Sequence, residues 1–396
     1  MSSVSKTWRA LGLSGAAAML FSLVPAVSEA GDAKALMMKS LGTSENVGPI
    51  VEESFKRVAE GLTPEQRELA LKCWKDSVCE TGHGDVTVAL ADGFGENVWR
   101  QVTKMEFITE ALTYPNIKKI IYTSGRSDAT KAISDLRSLI AQKVNVIVVF
   151  ADASTALLPT IKEATEAGIQ VILHNGTYVG GEPGKDYLAT VSEDLCDLGT
   201  GMIKAVAEGK GKDAVSVVEL GGTPGNGLSA GWQKCSDEEI AKHPGMKLLG
   251  KADTNWTQEG AFQAMSGFLA QNDNVDGVVY EYADGFRGGL RAWQEAGKAP
   301  KVTVALRTDE QGLFCDWEKA NEPDFKIFFA SGHNFQSGVA LTAGMMKLAG
   351  KDVPTVVGIP FQFRQVQKGM CNPDLPLDAS VSTRLDGDML KAMFAK

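Results

Sequence analysis

The chain has 396 residues, 44% hydrophobic and 22% charged, the balance of an ordinary globular protein with length for two or three cores. Its 49 acidic against 40 basic side chains leave a net charge of -9, a background that repels nucleic-acid phosphates and anionic lipid. The 4 His are scattered, and neither C-x-x-C nor H-E-x-x-H occurs, so neither a metal nor another cofactor is expected.

Lys6 and Arg9 precede an apolar run from Ala10 to Val27, which ends in the small residues Ser28 and Ala30. That order predicts a signal peptide over residues 1–30, removed on export to the periplasm. Gly12, Gly15 and Pro25 interrupt the run and argue against a membrane anchor. Export gives the cysteines a structural reading, because disulfides persist outside the cytoplasm. Sequence alone allows many pairings; the one expected here is Cys73 with Cys79, Cys196 with Cys235 and Cys315 with Cys371, the alternative being buried thiols.

Residues 31–84 read as a helical extension. Apolar residues at Ile50, Val51, Phe55, Val58 and Ala59 predict a helix that Gly61 ends. Thr63, Pro64 and Gln66 then give the capping pattern of a second helix running to about Val78. From Asp85 the pattern changes to short Val- and Ile-rich runs that alternate with amphipathic segments. Strands are predicted at Val86–Ala91, Lys118–Tyr122, Val144–Phe150 and Gln170–Leu173, and again at Ala214–Leu220, Lys247–Lys251, Val275–Tyr280 and Val302–Leu306. Such alternation predicts an α/β fold of two doubly wound parallel-sheet lobes.

Ligands of such sheets bind in the loops after the strands. Those loops hold Phe94, Trp99, Trp256, Tyr282 and Phe286 together with Arg100, Asp152, Asn175, Asn226 and Arg307. Rings that stack on C–H faces, beside planar hydrogen-bonding side chains, suit a sugar. Helix capping is the plainer role for Asp152, and packing for Phe94. One enzymatic signal competes. Gly227-Leu228-Ser229-Ala230-Gly231 matches the G-x-S-x-G elbow of serine hydrolases, with Asp309 and His333 following in order. Ser229, however, lies well beyond the strand end at Leu220, and no HGGG-type loop is present, so a binding protein is expected rather than an enzyme.

The strand end Val218-Glu219-Leu220-Gly221-Gly222 and the segment Gly289-Leu290-Arg291-Ala292-Trp293-Gln294-Glu295-Ala296-Gly297-Lys298 carry a resemblance. With the βαβαβ run from Ser127 to Leu173, they make the stretch from Val86 to about Gln367 similar to the ribose-type periplasmic sugar-binding proteins of ABC transporters. The resemblance implies lobes joined by three hinge crossovers, near Ala189–Val191, Ala330–Ser331 and Gly358–Pro360, that close on a monosaccharide. It implies a first lobe of residues 85–189 and 332–358 and a second of 190–331 and 359–396. It places Trp99 and Trp256 at stacking positions, Arg100 where a second aromatic is usual, and Asn175 and Asn226 where Arg is usual. Tyr282 stands for an Asn and Arg307 for an Asp, unless a one-residue shift puts Thr308 there; Ser331 and His333 flank the place of a hinge Gln or Asn. The rewritten polar set argues against ribose and leaves a sugar acid, a polyol or a modified pentose open. The implied partners are that small molecule and a membrane ABC permease, or else a chemoreceptor or membrane sensor. The protein is expected to act as a monomer.

Overall fold

The computed structural model describes residues 1–2, 32–176, 178–211 and 215–395. The expected signal peptide lies almost wholly outside the described residues. Three helices come first: α1 (Ala33–Leu41), α2 (Pro49–Ala59) and α3 (Pro64–Lys75). Thr63 and Gln66 form the reciprocal capping box at the start of α3, which spares two backbone donors that would otherwise be orphaned. A short strand that the sequence pattern did not reveal, β1 (Val78–Glu80), then pairs antiparallel with a strand of the first lobe.

That lobe runs β2 (Val86–Asp92), α4 (Val98–Leu112), β3 (Ile117–Ser124), α5 (Ala129–Ala141), β4 (Val146–Phe150), α6 (Leu158–Glu166), β5 (Gln170–His174) and β6 (Ala189–Ser192). The second runs α7 (Leu195–Lys210), β7 (Val215–Gly221), α8 (Gly227–Ile240), β8 (Met246–Asp253), α9 (Gln258–Gln271), β9 (Gly277–Tyr280), α10 (Ala283–Glu295), β10 (Thr303–Leu306), α11 (Gln311–Ala320) and β11 (Lys326–Phe329). The chain returns to the first lobe with α12 (Gln336–Leu348) and β12 (Val356–Gly358), crosses to β13 (Arg364–Gln365), and ends in α13 (Gly387–Phe394).

The two sheets have the orders β1-β3-β2-β4-β5-β6-β12 and β13-β11-β10-β9-β7-β8, parallel except for the edge strands β1 and β13. Alternation along the strands divides the packing. Val88, Leu90, Val146, Val148 and Ile172 face one side with α4 and α12, while Ala89, Ala91, Ile147 and Val149 face the other with Leu136, Leu139 and Ile161. A sheet covered on both faces requires such nearly continuous apolar strands.

The helical extension is not a separate unit. Ile50, Val51 and Phe55 of α2 join the first lobe's core, with Phe55 edge-on to Phe335. The three crossovers follow β6, β11 and β12. The chain then passes between the lobes once more. Ser380 and Ser382 bond Asp309 of the second lobe, and the next residues, Thr383 and Arg384, bond Glu106 of α4. Leu385, Met389 and Leu390 end in the first lobe's core. The tail expected within the second lobe is thus shared, because the apolar face of α13 packs on α3 and in the first lobe's core rather than on the second sheet.

The cysteines pair as expected: Cys73–Cys79, Cys196–Cys235 and Cys315–Cys371. Peptide mapping of the exported protein without reduction should recover these three links; six alkylatable thiols would contradict them.

Candidate ligand-binding site

Loops that follow β2 and β5 in the first lobe and β7 to β10 in the second line a narrow cavity between the lobes, the usual place for a small-molecule site in such sheets. Asn97 caps α4 by accepting from the Arg100 amide at 2.9 Å, and this sets the next side chains toward the cavity. Trp99 is buried in its wall, and its Nε1 donates to the Gly332 carbonyl at the second crossover, at 2.7 Å.

Trp256 comes from the opposite lobe. Its backbone is left-handed (φ 49°), a conformation that costs a bulky residue energy and is retained where the surroundings over-determine it. Its Nε1 donates to Glu281 at 2.9 Å, and its ring meets Phe94 edge-on at 5.0 Å. Gly222 has to be glycine here: a Cβ would stand 2.0 Å from the indole.

The two arginines are held differently. Arg307 donates from Nε to Glu193 and from Nη2 to Asn175, so a residue of the second lobe is fixed by the hinge and the first lobe. Glu193 also accepts from Gln336. Burial pushes the Glu193 carboxyl upward, but Arg307 and His333 beside it outweigh that and hold it below the usual carboxylate range. Arg100 lies flat on Phe150, its guanidinium carbon 3.5 Å from the ring centre, with Nη1 3.5 Å from Asp92. Glu281 accepts from Ser229, Trp232 and Trp256 at 2.5, 2.8 and 2.9 Å; burial pushes its carboxyl upward.

Of the residues singled out from sequence, Trp99, Arg100, Asn175, Trp256, Tyr282 and Arg307 line the cavity, as does Thr308. Phe94 backs Trp256. Asp152 accepts from Thr223 and Asn226 at 3.1 and 3.0 Å, which latches one lobe to the other. Ser331 and His333 are not brought to the cavity. The Ser331 hydroxyl donates to the Ser40 carbonyl at 2.6 Å, while His333, with φ 54°, turns inward between Phe335 and Phe361. Burial pushes the His333 ring down to about 4, against the opposing pull of Glu193. Asn97, Leu228 and Glu281 also line the cavity and were not singled out. Glu281 was detectable as the first residue after a predicted strand; Glu193 was hidden because a Glu-Asp-Leu run reads as a helix start.

The hydrolase elbow does not assemble. Ser229 sits inside α8 with its hydroxyl given to Glu281, Asp309 is taken by Ser380 and Ser382, and the carboxylate beside His333 is Glu193, at 3.9 Å. Among the described residues, no cluster of side chains could hold a metal ion, and no helix is long and apolar enough to cross a membrane.

Next to the cavity, Thr308 donates to Glu310 at 2.6 Å. The Glu310 carboxyl is pushed up to about 8 by burial, with Asp309 and Asp284 adding to the push and Thr308 opposing it. A raised carboxyl keeps its proton in the folded state after the unfolded chain has lost it. Stability from this group is therefore full below about 4.5, falls as pH rises toward 8, and levels off above that. Glu310→Gln should match wild type at pH 5 and exceed it by at least ~1 kcal/mol at pH 9 in urea unfolding; a gap that does not change with pH would contradict the assignment.

Fold and cavity together define a hinged receptor for a small solute. The periplasmic binding protein domain matches residues 88–313, more than half the chain. A xylitol-binding protein of Mycolicibacterium smegmatis is 28% identical over 262 residues, covering 63% of this chain and 71% of that one. A galactofuranose-binding protein of Escherichia coli is 27% identical over 222 residues, covering 54% and 68%. In structure, the chain is similar to the periplasmic component of a Shewanella arabinose ABC transporter, with a TM-score of 0.65 at 20% identity, covering 71% of this chain and 92% of the other. The chain belongs to the periplasmic binding protein family, whose members named here bind solutes rather than transform them.

Proposed function

We propose that the mature chain captures a sugar, polyol or sugar acid between its lobes in the periplasm and delivers it to an ABC permease. The observation that carries this is the shared cavity, to which each lobe gives one tryptophan and one arginine: Trp99 and Arg100 from one side, Trp256 and Arg307 from the other. The named relatives, which bind xylitol and galactofuranose, support the ligand class. Ligand held by both lobes stabilises the closed hinge, and a permease that binds the closed form reads occupancy. The N-terminal apolar run supports export, and a mature protein beginning near residue 31 is the expected processing product.

A thermal-shift screen of the mature protein against sugars, polyols and sugar acids tests the reading. A specific compound at about 100 times its dissociation constant adds about 2.7 kcal/mol of stability. A screen in which none of these compounds moves the melting point would overturn it. Handing the ligand-bound form to a chemoreceptor would use the same cavity; a transport assay in cells lacking the chain separates that role from delivery.

A further inference from the structure

Trp99 belongs to the first lobe, but its indole nitrogen is held from outside it. Nε1 donates to the Gly332 carbonyl at 2.7 Å. Position 332 has no room for a side chain: a Cβ there would stand 2.1 Å from Ser380 Oγ and 2.8 Å from Asp309 Oδ1. A glycine backbone has wide conformational freedom, so its hydrogen bonds must set the direction of that carbonyl. The Gly332 amide donates to the Ser382 hydroxyl at 2.5 Å, with the Ser331 hydroxyl 3.2 Å from the same oxygen. Ser382 and Ser331 are both 0% exposed.

The second lobe fixes Ser382 in turn. Its amide donates to Asp309 Oδ2 at 3.0 Å, and the Val381 amide donates to the Asp309 carbonyl at 3.1 Å. Ser380 gives its hydroxyl to Asp309 and forms an antiparallel bridge with Glu310. The next residues, Thr383 and Arg384, grip Glu106 on the helix that begins beside Trp99. Hydrogen bonds thus run unbroken from Asp309 through Ser382 and Gly332 to the ring in the cavity wall. Ser382 itself lies beyond the matched residues 88–313. Removing its hydroxyl would leave the Gly332 amide a buried donor without an acceptor, which is costly. The backbone relieves that cost by turning, and the carbonyl then leaves the indole.

We propose that Ser382, in the C-terminal tail, is a positioning residue for the ligand, setting the Trp99 ring through the Gly332 backbone. The proposal rests on the capture reading above and extends its site to the tail. Two measurements on the mature protein test it. Xylitol, L-arabinose and D-galactose are titrated calorimetrically into wild type, Ser382→Ala, Trp99→Phe and the Ser382→Ala/Trp99→Phe double variant. Fluorine NMR of the ligand-free protein labelled with 5-fluorotryptophan then follows the Trp99 signal, assigned by its loss in Trp99→Phe.

Ser382→Ala should bind roughly 10-fold more weakly than wild type. In the Trp99→Phe background, which has no Nε1 donor, the same change should cost less than twofold, because coupled residues are not additive. The Trp99 signal should shift or broaden in Ser382→Ala without ligand. Ser380→Ala, which removes a neighbouring tail anchor without touching the Gly332 amide, should lower the melting temperature and leave affinity within about twofold. Should Ser382→Ala not fold, Ser382→Cys keeps the volume, offers only a weak acceptor and is read in its place. An equal loss in both backgrounds, an unmoved Trp99 signal, or a loss in Ser380→Ala as large as in Ser382→Ala would overturn the proposal while leaving capture standing. If none of the three compounds, nor any other in the wider screen, binds wild type, the capture reading fails and the ligand role of Ser382 fails with it.

Discussion

Arg384→Met is expected to cost about 3–5 kcal/mol of folding stability, the usual result of breaking a buried ion pair from one side. The side chains of Arg384, Glu106 and Glu110 are 0% exposed, and the guanidinium donates to Glu106 at 2.9 Å, to Glu110 at 3.1 Å and to Ser54 at 2.8 Å. Thr342 and Ser54 complete the shell of Glu110 at 2.7 and 2.8 Å. One side chain thus ties together the extension (Ser54), α4, α12 and the tail. Removing it strands two carboxylates in the core. Making the carboxylates neutral as well, with Glu106→Gln and Glu110→Gln, should recover most of the loss. Urea midpoints of the single and triple variants measure both effects; a single variant within about 1 kcal/mol of wild type would refute the role.

Trp99→Ala and Trp256→Ala should each weaken ligand binding at least ~100-fold, or about 3 kcal/mol, because an indole buries a large apolar face that no neighbour replaces. Both rings also belong to the apolar cluster of the second lobe, so each variant should lose some stability as well, and its ligand-free melting point is measured beside its affinity. Phenylalanine at either position should recover part of the affinity, since a stacking face returns without the Nε1 donor to Gly332 or Glu281. Calorimetric titration with the compound giving the largest thermal shift is the measurement. Dissociation constants within about threefold of wild type would show that the tryptophans serve packing alone.

The lobes were legible because nearly continuous Val and Ile runs, spaced by amphipathic segments, permit little but a covered parallel sheet. Every strand predicted from Val86 to Leu306 has its counterpart, with ends shifted by one or two residues. The strands β6, β11, β12 and β13 were not predicted from the pattern; β12 and β13, of three and two residues, are too short for periodicity to register. The extra passage at Ser380–Arg384 was hidden because its signal is polar, lying in which serine meets Asp309 and which arginine meets Glu106. The cavity divides in the same way. Aromatic rings in polar loops announced Trp99 and Trp256, whereas Glu193 and Glu281 depend on partners 114 residues away at Arg307 and 52 residues away at Ser229. His333 misled for the opposite reason: its place in the chain suits a ligand contact, but a left-handed backbone turns the ring into the core.

Amide hydrogen exchange, with and without the compound that shifts melting most, tests the central claim most directly. Ligand captured between the lobes should slow exchange in both at once, around Asn97–Arg100 and Asn175 on one side and around Trp256, Glu281–Tyr282 and Arg307–Thr308 on the other. Protection confined to one lobe, or found away from these loops, would contradict it.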